Sequence, residues 1–221
     1  MGIIERIKVW LQMLKPEGTD AVLKQYKGKG DLKESLINYL IGSAIISAMI
    51  FILYLLIFVL FASLFAPMLA SAGNNGLTAA GGTLLMAVLI AALVGVVCFI
   101  GIPILSYISQ GVYWILAKIL GGKGTYTEQT FFGSMLGGAF AVIAPAIIVV
   151  SLIPCLGTIV SFVVGAYELY LAYKIIKTVH GLDQLRAAVV VLLPLVVLVG
   201  LYLLIYLFAM FYSISSPTYV S

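Results

Sequence analysis

Three stretches of this 221-residue chain carry no charged side chain: Leu36 to Ala117, Gln129 to Tyr167 and Ala187 to Ser221. An uncharged apolar run of about 18 residues already suffices for a helix that crosses the ~30 Å hydrocarbon core of a bilayer. These runs are far longer. Composition agrees, with 63% hydrophobic and 9% charged residues where a soluble domain carries roughly a quarter charge. A 23.7 kDa globule could not hide so much apolar surface from water. The chain therefore reads as an all-α integral membrane protein. Disordered, disulfide-scaffold and solenoid classes are excluded.

Turn residues subdivide the runs. Pro67 to Gly82, rich in Gly, Ala, Ser and Asn, splits the first, and Pro154-Cys155-Leu156-Gly157 splits the second. Five spans result, at about 36–66, 83–119, 130–152, 156–177 and 187–211. The first two exceed the bilayer thickness and must tilt, kink at Gly101-Ile-Pro103, or protrude. Tyr107, Tyr113 and Trp114 read as the inner aromatic belt of the second, which puts its excess length on the outer side. Lys/Arg residues number seven in 1–35, two in 118–128 and three in 174–186, with none in 67–82, 153–157 or 212–221. Basic and chargeless connections alternate. By the positive-inside rule the N-terminus is cytoplasmic and the C-terminus outside. The first run follows 35 polar-rich residues and is too long for a signal h-region, so it reads as a retained span.

The segment 1–35 is expected to hold a short amphipathic interfacial helix and a charged loop. Ile3, Ile4, Ile7, Trp10, Leu11 and Leu14 repeat at helical spacing, while Glu5, Arg6, Lys8, Gln12 and Lys15 take the other face. Pro16 ends the pattern. Such a helix suits lipid contact, with packing beneath the bundle as the alternative. Lys24 to Glu34, glycine-bearing and charged, reads as the loop.

Candidate functional residues are few. Glu168 is the one ionisable side chain well inside a span, and an intramembrane carboxylate marks a functional site by default. With Tyr167 and Tyr170 it forms a candidate polar site, although the tyrosines also suit an inner interface. Gly133 and Gly137, with Ala141, form one small-residue row on the third span. Gly157 and Gly165, with Ser161, form another on the fourth. Rows of this kind allow close helix approach in lipid, so the two spans are expected to pack as a hairpin along them. His180 before Gly181 reads as a helix C-terminal cap. One histidine without a Cys, Asp or Glu cluster makes no metal site. Cys98 and Cys155 fall at different depths and read as two unpaired thiols. No H-E-x-x-H, G-x-S-x-G or Walker pattern occurs, and no basic cluster interleaves with stacking aromatics as nucleic-acid binding needs. The expectation is a non-enzyme without cofactor, metal or nucleic-acid partner. Its partners are the bilayer, an unidentified membrane or cytoplasmic protein, and optionally further copies of the chain.

From residue 116 the pattern resembles a known family. Leu116-Ala-Lys-Ile-Leu-Gly121-Gly122-Lys-Gly124-Thr-Tyr126 is similar to the cytoplasmic turn of Yip1-domain proteins. Ala144-Pro145 resembles that family's proline position in span three. Tyr170 to Leu182, with Val-His180-Gly181-Leu, followed by Arg186-Ala-Ala, is similar to its end of span four. Leu14-Lys-Pro-Glu17 loosely resembles the P-x-E that precedes span one in prokaryotic members, with Pro16 and Glu17 adjacent here. Five spans with N-in, C-out topology is the arrangement the resemblance implies. The eukaryotic DLYGP motif is absent, and Phe140 or Ala141 stands where the GYxxxP motif needs its aromatic. The Rab-type GTPase partner of eukaryotic members is therefore not carried over. The resemblance implies a prokaryotic cell-membrane protein that shapes membrane or organises partners. The alternative is a small transporter or channel using Glu168.

Overall fold

The computed structural model describes residues 1–71, 74–153 and 155–215, with side chains outside 65–80, 83, 84 and 213–215. These residues form seven helices: α1 (Ile3–Met13), α2 (Pro16–Tyr26), α3 (Leu32–Ser71), α4 (Asn74–Ile119), α5 (Tyr126–Ser151), α6 (Leu156–His180) and α7 (Gln184–Ser215). Five of them, α3 to α7, are long and apolar enough to cross a membrane. The protein is a multi-pass, all-helical membrane protein. Leu32, the α4–α5 loop and the α6–α7 loop share one end of the bundle, called basal below; the other end is distal.

Two sequence expectations change. The break over 67–82 is not seen in the described backbone, because α3 runs on to Ser71 and α4 starts at Asn74. Alanine-rich stretches retain high helix propensity even where their small side chains suggest a turn. Residues 72, 73 and Pro154 lie outside the described residues. The second change is at Pro16, which starts a helix as well as ending one. It occupies the first position of α2 after an extended Lys15, where its missing N–H costs nothing. The charged loop thus shrinks to 27–31, between α2 and α3.

Helices α1 and α2 form a hairpin that lies along the basal half of α5 and α6. Its corner is tight. The Thr19 hydroxyl donates to the Met13 carbonyl at 2.6 Å, and a Cβ on Gly18 would sit 2.1 Å from the Gln12 carbonyl oxygen. The face of α1 that packs is Arg6, Trp10 and Met13, all buried. Ile3, Ile4 and Leu11 stay exposed. Arg6, expected on the polar face, is buried because its partners lie inside. It donates to Asn38 Oδ1 at 2.6 Å, to the Met1 carbonyl at 3.1 Å, and pairs with Glu34. Asn38 passes the chain to the Ser134 hydroxyl at 3.0 Å. The Trp10 indole lies against Gly138 of α5, where a Cβ would fall within 2.6 Å of the ring. On α2, Tyr26 packs against Phe131. Lys174 of α6 holds α2 through Asp20 and the Pro16 carbonyl, both at 2.7 Å.

The described bundle tapers. Asn38 meets Ser134 and Gly42 meets Gly138, so α3 and α5 run parallel. Beyond Gly42, α3 continues for 29 residues to Ser71, whereas α5 continues for 13 beyond Gly138 to Ser151. The difference of sixteen residues is about 24 Å of helix. Helix α7 buries Ala187, Val190 and Val191 near its start, whereas its apolar residues from Leu192 to Tyr212 are largely exposed. Seven helices therefore share the basal cross-section, and α3 and α4 run on past the α5–α6 turn at the distal end.

Candidate functional site

Helix α3 turns a polar stripe inward. Ser35, Asn38, Tyr39, Ser43 and Ser47 are buried, while Ile52, Leu56, Leu60 and Leu64 are exposed. In lipid the exterior is the apolar solvent, so a spanning helix can hide its polar residues and show its leucines. Helix α4 carries Ser106, Ser109, Gln110 and Tyr113, spaced i, i+3, i+4, i+7 on one face; Ser109 is exposed and the other three are partly buried. Tyr39 of α3 and this α4 stripe, with Gly133 and Gly137 of α5 and Glu168 of α6, line a cavity of about 220 Å³. A second cavity of about 340 Å³ adjoins it toward Ile102 and Val164. Tyr39, Ser106, Gly137 and Glu168 line both.

Glu168 is exposed although it lies midway along a packed helix, and it lines both cavities. It makes no hydrogen bond or ion pair among the described residues. The other two members of the candidate site do not join it. The Tyr167 hydroxyl donates to the Leu14 carbonyl at the α1–α2 corner, and its ring stacks on half-exposed Tyr170 with centroids 6.3 Å apart. Neither lines the cavities.

The glycine rows also take different roles from those expected. Helices α5 and α6 do form a hairpin, but the rows do not meet. A Cβ on Gly133 would strike the Gln110 amide at 2.4–2.9 Å, and one on Gly137 would approach the Tyr39 ring at 3.7 Å. Both glycines face α4 and α3 across the cavity, and their missing side chains make part of its volume. Gly157 closes the turn onto the Ser151 backbone, with a would-be contact of 2.6 Å, whereas Gly165 has nothing within 4 Å.

The basal loop locks around His180. Its Nε2 bonds Gln129 Oε1 at 2.7 Å, and the Gln129 amide donates to Gln110 at the carbonyl (2.8 Å) and side chain (3.0 Å). Gly122 and Gly124 leave room for that imidazole, since a Cβ on either would lie 2.9 Å from Nδ1. The His180 carbonyl accepts from the Lys123 N–H at 3.0 Å. Gly181 caps α6 at φ +63°, and Gly121 turns the chain at φ +88°, both left-handed geometries that favour glycine. His180 thus does more than cap: its ring joins α6 to α5 and, through Gln129, to α4. This polar relay supports the cavity wall that Gln110 provides.

Tyr39, Ser106, Ser109 and Gln110 escaped the sequence reading, which took Tyr113 only as part of the inner aromatic belt. Their signal was present as polar residues at helical spacing inside charge-free runs. No group of three His, Cys, Asp or Glu side chains converges among the described residues, and Cys98 and Cys155 are free. The arrangement can accept a cationic or hydrogen-bonding group beside one carboxylate. It offers no nucleophile–base pair.

A family model, the Yip1 domain, matches residues 40–207. No curated protein and no solved structure matches the chain.

Proposed function

This chain belongs to the Yip1 domain family, and we propose that it acts as a non-catalytic membrane scaffold whose taper shapes or senses the curvature of the bilayer. The observation that carries the reading is the unequal cross-section, with α1 and α2 packed against the basal half of α5 and α6 and no counterpart among the described residues at the distal end. An inclusion wider in one leaflet than the other fits a bent bilayer better than a flat one. The basal end carries every Lys and Arg: six before α3, Lys33 in its first turn, and Lys118, Lys123, Lys174, Lys177 and Arg186 beyond it. The positive-inside rule makes that end cytoplasmic, where anionic lipids attract it. The exposed α7 surface from Leu192 to Tyr212 offers contact to lipid, to a partner's helix or to a second copy. A prokaryotic cell membrane remains the location the motif pattern favours.

Curvature sorting tests the proposal. Purified protein reconstituted into single vesicles of mixed diameter should show a surface density that rises as diameter falls. A density independent of diameter contradicts it. Ion flux in wild-type vesicles that is lost in Glu168→Gln would replace the scaffold reading with that of a transporter.

A further inference from the structure

We infer that the double cavity beside Glu168 is a binding site for a primary ammonium group carried on an apolar chain. The argument begins with the carboxylate. A charge within a membrane-embedded bundle is costly unless paired, and the polar groups that line the cavities with Glu168 are hydroxyls and amides: Ser106, Ser109, Gln110, Tyr39 and Tyr113, with Asn38 and Ser43 in the larger lobe. No Lys or Arg lines either cavity, and two cations of the surrounding helices are engaged elsewhere. Lys174 is on Asp20 and the Pro16 carbonyl, and Arg6 is on Glu34 and Asn38. A cation from outside the chain would complete the site.

The lining selects which cation. A divalent metal needs several oxygen ligands, usually with more than one carboxylate, and Glu168 is the one carboxylate among the residues around these cavities. An ammonium has three donors and no acceptor. It is matched by one carboxylate and by the hydroxyl oxygens of Ser106, Ser109, Tyr39 and Tyr113, which line the same cavity. The larger lobe adds the apolar side chains of Ile46, Ile102, Phe140 and Val164, beside Asn38 and Ser43, whose polar groups are already bonded to Arg6, Ser134 and the Leu40 carbonyl. At about 220 and 340 Å³ the lobes far exceed a bare ion, since a water's share of liquid volume is about 30 Å³. The small lobe suits a head and the large one its stem. Two sources carry this chemistry: a free amphiphilic amine, or a lipid with an ethanolamine headgroup.

The probe for the first source is n-octylamine, added to the purified full chain in neutral maltoside micelles. It should raise the unfolding midpoint saturably, and n-octanol should not. Glu168→Gln preserves shape and hydrogen bonding but removes the charge-assisted bond, so the octylamine affinity should fall by at least about tenfold. Ser106→Leu, which fills the shared wall, should weaken binding comparably and provides the same readout if the Gln variant does not fold. For the second source, native mass spectrometry of protein released from nanodiscs containing phosphatidylethanolamine should show one retained lipid on the wild type and none on Glu168→Gln. Retention assigns the lipid headgroup, and octylamine binding without retention assigns a free amine. Equal stabilisation by octanol, unchanged octylamine affinity in both variants, stabilisation by sodium or calcium chloride alone, or no effect of either probe on the wild type overturns the inference.

Discussion

At Gly138 the backbone of α5 approaches an indole ring so closely that a single added carbon would overlap it. Trp10 is fully buried there, and the contact depends on the missing side chain. Gly138→Leu is expected to cost about 1–3 kcal/mol through overpacking and displacement of the ring. Gly165→Leu faces open space and should leave stability in detergent nearly unchanged. Thermal unfolding of the two variants checks both; equal losses would contradict the assignment of contacts. The sequence marked Gly133, Gly137 and Gly165 as one kind of residue, because spacing by four reports a shared face but not what lies opposite. Gly138 falls one step off that row. Its role came from Trp10, more than a hundred residues away, and no local pattern carries that pairing. Glu168 was legible as a site because a carboxylate in an apolar run is costly anywhere. Its cavity was legible only in part, as the stripe Ser106, Ser109, Gln110, Tyr113.

Among the elements, the α1–α2 hairpin is held by polar contacts as much as by apolar ones. Arg6 is buried with its counter-ion Glu34 about one-third exposed, and Asn38 and Ser134 continue the link into α5. Glu34→Gln leaves the guanidinium buried with a neutral partner. Breaking a buried pair in this way is more damaging than never having had it, so the hairpin should open more readily. Amide exchange in α1 and α2 should rise at least about tenfold, with α5 and α6 little changed. Unaltered exchange in α1 would show that Trp10 and Met13 hold the hairpin alone. The start and period of α1 were readable in the sequence. Its buried face was not, because hydrophobicity alone places Arg6 outside, and α2 was hidden behind a proline that sequence patterns read as a stop. The spanning helices were the most legible elements, since absence of charge over twenty or more residues admits few alternatives in a bilayer.

For the whole molecule, the account depends on which way the wide end faces. Every basic residue, the hairpin and the loop locked by His180 lie at the basal end, and the scaffold reading places that end in the cytoplasm. Cysteine accessibility decides it. With Cys98 and Cys155 replaced by serine, single cysteines are introduced at Asn75 near the start of α4, at Lys123 in the α4–α5 loop and at Asp183 before α7. Intact cells are then exposed to a membrane-impermeant maleimide. Asn75→Cys should label from outside, whereas Lys123→Cys and Asp183→Cys should label only after the membrane is opened. Labelling of Lys123→Cys in intact cells would contradict the orientation and, with it, the assignment of the broad end to the cytoplasmic leaflet.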